Sequence, residues 1–241
     1  MTRTEIDPSW PTQIHLPGQT AAHPGPVDMT MMYVMHHAFR RDLTAFAAAA
    51  QATPAGDRGA WRALAERWTL FSNALHHHHS GEDAALWPLL LDRTDDAGRE
   101  VLEAMEVEHS EIDPILTACS EGFERLAGHA DEDARCALAV RLVAGRERLG
   151  EHLLHEETEA IAIIQQVMNG EEWEQLEEEA FKKDVSFGEI LALVPWAAYG
   201  VPAAVRQHLF AQPGGGMHKL MWLLTRGRFE RREKVAFRHV A

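Results

Sequence analysis

The chain is poor in several residue types and patterns that would define its class. Two cysteines, Cys119 and Cys136, occur among 241 residues, so no disulfide framework is expected and a reducing, cytoplasmic setting fits. The first residues lack a charged segment followed by an apolar run, which argues against an export signal. No segment alternates apolar and polar residues for long enough to predict a β-strand.

Positive charge is also scarce. The 23 Lys and Arg residues face 37 Asp and Glu residues, which gives a formal net charge of −14. Such a chain would be repelled by a phosphate backbone, so nucleic acid is not an expected partner. The apolar stretch 190–205 contains two prolines and a glycine and is short for a bilayer. We therefore expect no membrane span.

Histidine, in contrast, is abundant, with 15 residues. It is the commonest metal ligand in proteins and titrates near neutral pH. Four histidines stand in a row at 76–79. A purification tag lies at a terminus, so this tetrad in mid-chain raises the question of a metal site.

Helical periodicity dominates the middle of the chain and predicts an all-α fold. Four periodic segments cover approximately 29–51, 60–90, 99–127 and 134–168. Their short connections favour an antiparallel, up-down-up-down four-helix bundle. The sequence thus divides into an irregular N-terminal arm (1–27), a bundle (28–168) that begins with Asp28 as N-cap, and a C-terminal extension (169–241) expected to be helical.

The C-terminal extension changes character along its length. An acidic amphipathic segment is followed by the apolar stretch and then by the basic run 226–234. The apolar stretch is expected to pack against the bundle or a partner. The basic run is interpreted as a solvated face that balances the acidic segment; the alternative, a contact with phosphate or anionic lipid, has no support in the sequence.

Histidine interrupts the apolar stripe of every predicted bundle helix. In two helices a glutamate follows the histidine four residues later, on the same face. Buried polar groups are destabilising unless they are paired or coordinated, so these breaks predict metal ligands. The six candidates are His36, His78, Glu82, His109, His152 and Glu156.

The six candidates are also expected to lie at one height in the bundle. Residues at equal distances from a turn in antiparallel helices reach the same level, and the candidates satisfy this condition at all three turns. His36 and His78 are separated by 42 residues, and His109 and His152 by 43. The two helix pairs therefore look like related halves of a two-metal centre.

Within the tetrad, one histidine is predicted to belong to the site. Consecutive helical residues point about 100° apart, and His78 continues the apolar stripe of its helix. His79 is placed on a neighbouring face beside Asp83, while His76 and His77 turn away.

Four motifs carry a family resemblance: "MHHAFRRDL", "HSGEDAALWP", "MEVEHSEIDPIL" and "GEHLLHEETEAI". They resemble the haemerythrin-like, or HHE cation-binding, family over about residues 28–168. The resemblance implies a non-haem centre of two iron ions, oxo- or carboxylate-bridged, that binds or reacts with oxygen, peroxide or nitric oxide. The six candidates match the family's metal ligands, with Glu82 and Glu156 as bridges.

The sequence departs from the oxygen carriers of that family at two positions. The carriers have a His-x-x-x-His pair on the third helix and an aspartate on the last, where this chain has Asp113 and Glu156. These departures favour the bacterial members that are not carriers. Asp113 stays a candidate seventh ligand, although Pro114 disfavours a helical conformation before it and could kink the helix or start a new one.

Other polar residues near the candidates have open roles. His155 is a candidate ligand or a neighbour at the edge of the site. His37 is placed at the surface or in contact with a ligand without binding metal itself. Asp83 and Glu157 are expected to orient or solvate nearby groups.

Three functions remain open at this point. The first is a cytoplasmic di-iron protein that binds or processes a small oxidant in oxidative or nitrosative stress defence, with an unidentified redox partner; peroxide decomposition is one such activity. The second is a non-enzymatic module that senses or stores oxygen or iron and signals through the extension. The third is a bundle with a structural zinc or single-metal site.

Overall fold

The computed structural model describes residues 7–183, 185–212 and 214–240, and within these ranges the chain is helical without strands. The predicted all-α class is therefore confirmed. The α-helices are α1 Thr30–Ala52, α2 Arg58–Gly81, α3 Trp87–Leu91, α4 Asp96–Gly128, α5 Glu132–His155, α6 Ile161–Val167, α7 Gly170–Leu176, α8 Phe187–Ala198, α9 Ala203–Ala211 and α10 Gly215–Ala236. Residues 1–6 of the predicted arm and residues 184, 213 and 241 of the predicted extension lie outside the described residues.

Two of the four bundle helices contain a π-helical turn. The π turn Glu82–Leu86 joins α2 to α3, and the π turn Glu156–Ala160 joins α5 to α6. With α1 and α4 these segments form the bundle, in which α4 packs between α2 and α5, and α5 packs on α1. Sequence periodicity located all four helices but did not show the two wider turns, since a π turn adds only one residue to the pattern.

The apolar stripes of α1, α2 and α4 meet in an aromatic core away from the histidines. The ring centroids of Phe46, Trp68 and Phe123 lie 5.0–5.4 Å apart. All three side chains are buried. This packing fixes the relative height of the helices and so the level at which their polar residues meet.

Aspartates are the N-cap residues of three bundle helices, α2, α4 and α5. The carboxylates of Asp57, Asp95 and Asp131 each accept a hydrogen bond from the backbone N–H three residues later, as N-caps do. The start of α1 differs by one residue from the expectation, because Met29 occupies the N-cap position. Asp28 still contributes, since its carboxylate accepts the N–H of Thr30 at 2.9 Å.

Pro114 lies inside α4, which continues unbroken to Gly128. The ring removes one backbone donor, so the carbonyl of Ser110 loses its helical partner. Ser110 and Pro114 are both exposed, and water can satisfy that carbonyl. Because α4 continues through residues 110–113, no new helix starts there.

The C-terminal extension packs on the bundle. Helices α8 and α10 pack against each other and against α1 and α2, which contact each other little. A buried polar network joins these four helices. The Asp42 carboxylate accepts from Arg67 Nη2 at 2.6 Å and from Trp196 Nε1 at 2.7 Å, and Arg67 also pairs with Glu233. Within the described residues, no helix has the length and apolar character needed to cross a bilayer.

Candidate metal centre

The six predicted residues lie together in the middle of the bundle, and all are buried. Helix α1 positions His36, α4 positions His109, and the other four lie where α2 and α5 run into their π turns. Three pairs of atoms are 3.1 Å apart: His36 Nε2 and Glu156 Oε2, His78 Nε2 and Glu82 Oε1, and the Nε2 atoms of His109 and His152.

A seventh residue, His79, belongs to the same cluster. Its ring is buried and lies parallel to that of His109, with centroids 3.9 Å apart. The sequence placed His79 on a neighbouring face, whereas the structure brings its ring against that of His109. A bundle helix buries an arc wide enough for two adjacent positions, so His78 faces α1 while His79 faces α4. The signal was present, because Phe71, Leu75 and His79 follow each other at steps of four.

Six of the seven side chains form two groups of three, and Glu82 lies between them. His36, His78 and Glu156 can each offer an atom within 4.8 Å of the others, and so can His79, His109 and His152. Both glutamates span the two groups. Glu82 lies 3.1 Å from His78 Nε2 and 3.6 Å from His109 Nε2. Glu156 lies 3.1 Å from His36 Nε2 and 3.8 Å from His152 Nε2.

Carboxylates fix the proton positions on three of the imidazoles. The Nδ1 atom lies 3.0 Å from Glu157 in His36, 2.8 Å from Asp83 in His109 and 2.8 Å from Glu108 in His152. An ionised carboxylate only accepts hydrogen bonds, so each Nδ1 donates its proton. The Nε2 atoms of His109 and His152 are left with lone pairs that point into the cluster. Facing lone pairs at 3.1 Å repel each other unless a proton or a metal ion lies between them. At His36, burial opposes protonation, but Glu156 and Glu157 outweigh this effect and raise the pKa to about 9.

Glu157 is held by α1 and by the N-terminal arm. It accepts from His36, from Arg40 at 2.6 Å and from the backbone N–H of Thr20 at 2.7 Å. Thr20 belongs to the N-terminal arm, and no pattern in the sequence connects that arm with the cluster. Asp83 and Glu157 contact the imidazoles of His109 and His36, respectively.

Glu108 has a similar part that sequence reasoning missed. Its two carboxylate oxygens lie 2.8 Å from Nδ1 of His152 and 2.8 Å from Nδ1 of His155. His155 therefore contacts the residue behind a candidate ligand and belongs to neither group of three. Glu108 stands one residue before His109, on a different face, and the periodicity of α4 alone does not single it out.

Asp113 and the remaining histidines lie apart from the cluster. Asp113 is exposed and joins neither group of three, so the structure does not support its role as the seventh ligand. Its position on α4 points to solvent, and His79 from α2 stands in the cluster instead. His37 bonds to the carbonyl of Pro17, and His76 is exposed.

The cluster has unpaired polar atoms that suit a cation. Several buried polar atoms make no well-aligned hydrogen bond among the described residues: Nε2 of His36 and His78, both ring nitrogens of His79, and all four oxygens of Glu82 and Glu156. Two of these nitrogens lie 3.1 Å from a glutamate oxygen, but the contacts lack hydrogen-bond geometry. Buried polar atoms that lack a partner lower the stability of the folded protein. A bound metal would satisfy them, and the nitrogen and oxygen donors without thiolate fit iron.

The electrostatics of the cluster favour positive charge at its centre. Burial lowers the pKa of His78, His79 and His152, so their imidazoles are neutral and able to coordinate at neutral pH. Burial and the nearby carboxylate of Glu156 raise the pKa of Glu82. Burial also opposes ionisation of Glu156, but His36 beside it lowers the pKa of that carboxyl. A cation between the two glutamates would stabilise both as carboxylates.

The fold and the cluster together define a metal-binding four-helix bundle. The family model described as "Hemerythrin HHE cation binding domain" matches residues 28–164, which is more than half of the chain. The chain therefore belongs to the hemerythrin HHE cation-binding family. A search of curated proteins and a search of solved structures each found no match.

Proposed function

We propose that the chain is a non-haem di-iron protein that binds or processes a small oxidant such as oxygen, peroxide or nitric oxide. The observation that carries this proposal is the pair of three-residue groups spanned by two buried glutamates. One group suits each ion, and a carboxylate that reaches both groups suits a bridge. The proposed ligands are His36, His78, His79, Glu82, His109, His152 and Glu156.

The chain's own residues would set the chemistry of this centre. Bound iron would supply redox chemistry and coordination positions for a small ligand. Asp83, Glu108 and Glu157 hold three imidazoles by Nδ1, which fixes the ring orientation and increases the basicity of Nε2. Phe39 lies on the α1 side of His78, with ring centroids 5.3 Å apart, and excludes water from that side.

Metal analysis of variants in the tetrad tests the proposal. The wild-type protein should contain two irons per chain and show an absorption spectrum that changes on addition of peroxide. His79→Ala should lower iron content, as should His78→Ala. The matched control is His76→Ala, an exposed member of the same run, which should keep two irons. One zinc per chain, or His79→Ala with full iron content, would contradict the proposal.

A second candidate function is a non-enzymatic sensor of oxygen or iron. It is favoured by one observation, the contact between the extension and the ligand-bearing helix: Phe181 lies against Gly81, and its ring centroid is 6.3 Å from that of His78. Steady consumption of peroxide at constant iron content would support an enzyme. Ligand-dependent changes in amide exchange of residues 177–182, without turnover, would support the sensor.

A further inference from the structure

Helix α10 concentrates exposed apolar and basic side chains. It carries six of the chain's 23 Lys and Arg residues and two of its 37 acidic residues. It also carries five exposed large apolar side chains, which are Met217, Leu220, Leu223, Leu224 and Val235. Exposed apolar side chains that are grouped together and bordered by polar residues mark interaction sites.

The two faces of α10 differ in their exposure to solvent. The inner face, with Met221, Phe229 and Glu233, is buried, and α10 packs on α2 and α8. The outer face follows steps of three and four through Met217, Leu220 and Leu224, then through Arg228 and Arg231. Its apolar side chains are 50–74% exposed from Met217 to Leu224. Nothing in the described residues covers this face.

The basic side chains of the outer face lack acidic partners. The ion pairs of α10 and the residues after it, within the described part of the chain, are those of Glu233 with Arg67 and of Arg238 and His239 with Asp57. Arg228, Arg231 and Lys234 take part in none of them. Their charges are therefore available to an anionic partner.

Pairing of two copies through α10 is electrostatically poor. An antiparallel arrangement would set Leu220 and Leu224 of one copy against Arg228 and Arg231 of the other. A parallel arrangement would match the apolar halves but set arginine against arginine, and like charges in contact repel. A bilayer with anionic headgroups satisfies both halves of the face, because leucines can enter the acyl boundary while the basic groups meet phosphates.

We infer that the outer face of α10, from Met217 to Lys234, is a docking surface for an anionic lipid bilayer. The helix would lie in the plane of the interface, with the metal-binding bundle on the aqueous side. The acidic residues outside α10 would be repelled by the same surface, which would orient the chain with α10 toward the lipid. The metal centre is not required for this interaction.

Vesicle sedimentation of the full-length chain tests the inference. The protein should bind vesicles of phosphatidylcholine with about one third phosphatidylserine, and binding should fall with added salt. It should bind pure phosphatidylcholine at least tenfold less. Leu220→Glu combined with Leu224→Glu should reduce binding at least tenfold, and so should Arg228→Glu combined with Arg231→Glu.

Val140→Glu is the matched control, because Val140 is 71% exposed on α5. This variant should bind the anionic vesicles as the wild type does, and circular dichroism should show that all variants are folded. Equal binding to both vesicle types, or no binding to either, would overturn the inference. A dimer in light scattering that the Leu220→Glu, Leu224→Glu variant converts to monomer would also overturn it, since a second copy would then occupy the face.

Discussion

A carboxylate behind an imidazole is the recurring residue-scale device of this protein. Glu157, Asp83 and Glu108 each accept a hydrogen bond from Nδ1 of one histidine in the cluster. They come from different helices and different sequence distances, yet each leaves Nε2 free to coordinate. A carboxylate that accepts a hydrogen bond from the non-coordinating ring nitrogen fixes the tautomer and ring orientation of a histidine ligand.

Glu108 offers a test at this scale. Glu108→Gln keeps the shape of the side chain but removes the charge shared by His152 and His155. We expect iron affinity to fall roughly 10- to 100-fold, because the imidazole of His152 becomes less basic and less firmly oriented. Competition with a chelator measures the change. Glu111→Gln, one turn along α4 at an exposed pair with Arg148, should leave affinity unchanged, and an equal loss in both variants would contradict the assignment.

At the level of single residues, the six stripe-breaking side chains were predictable because buried polar groups stand out in an apolar pattern. His79 was missed because the periodic pattern of α2 was assigned a single apolar stripe, which passes through His78. A helix inside a bundle packs against two neighbouring helices and buries side chains toward both. Glu108 was missed for another reason: its partners are 44 and 47 residues away, and only packing brings them together.

The glutamates of the cluster stand at the first position of each π turn. In both halves an α-helix ends one residue earlier, at Gly81 and His155, and the wider turn begins at Glu82 and Glu156. A π turn locally changes the direction in which successive side chains point, and such turns recur at functional sites. The internal repeat seen in the sequence therefore extends to a local backbone feature.

Gly81 allows a close contact between the bundle and the extension. A Cβ at this position would lie 2.6 Å from Cε1 of Phe181, which is too close for any side chain without movement of the ring. We expect Gly81→Ala to lower the free energy of unfolding by about 1–3 kcal/mol through overpacking. Chemical denaturation measures this effect.

The control for Gly81 is Gly150, where an added Cβ meets nothing within 4 Å. Gly150→Ala should raise the free energy of unfolding by up to about 1 kcal/mol through helix propensity. In a Phe181→Ala background, Gly81→Ala should no longer destabilise, because the clash is gone. Stabilisation by Gly81→Ala in the otherwise unchanged chain would refute this account.

On the scale of the whole molecule, the bundle and the extension are joined by buried contacts. Asp42, Arg67, Trp196 and Glu233 belong to four different helices and pair with one another in the interior. Phe39 touches both Trp196 and His78, so the extension and the metal cluster share a packing neighbour. Removing one member of a buried ion pair leaves the other charge buried and unpaired, which is strongly destabilising. We therefore expect the bundle and the extension to unfold as one unit.

The chain end is also tied to the bundle by an ion pair that depends on pH. Asp57 caps α2 and pairs with Arg238 and His239. The hydrogen bonds from Arg238, His239 and the Ala60 N–H lower the pKa of Asp57 below its ordinary value of 3.8. A carboxyl with a depressed pKa contributes stability above its ordinary value, and this contribution is lost as pH falls through the folded-state value.

We therefore expect the wild type to lose more stability than Asp57→Asn between about pH 5 and about pH 3. Asparagine keeps a capping oxygen but cannot form the ion pair, so the difference isolates the charge. Urea denaturation across this range measures it. Asp95→Asn, which changes a capping aspartate without an ion pair in the described residues, should follow the wild-type pH profile. A parallel pH profile for Asp57→Asn would count against the role of Asp57.

The sequence by itself determined the helical class, the four bundle helices and the level at which six polar side chains meet. It could do so because periodicity and loop spacing are local properties of the chain that antiparallel packing converts directly into height. The tertiary structure alone decided which residues stand behind the imidazoles, that His79 joins the cluster in place of Asp113, and that the arm and extension pack around it. Those features depend on contacts between distant segments, and such contacts leave no periodic trace in the sequence.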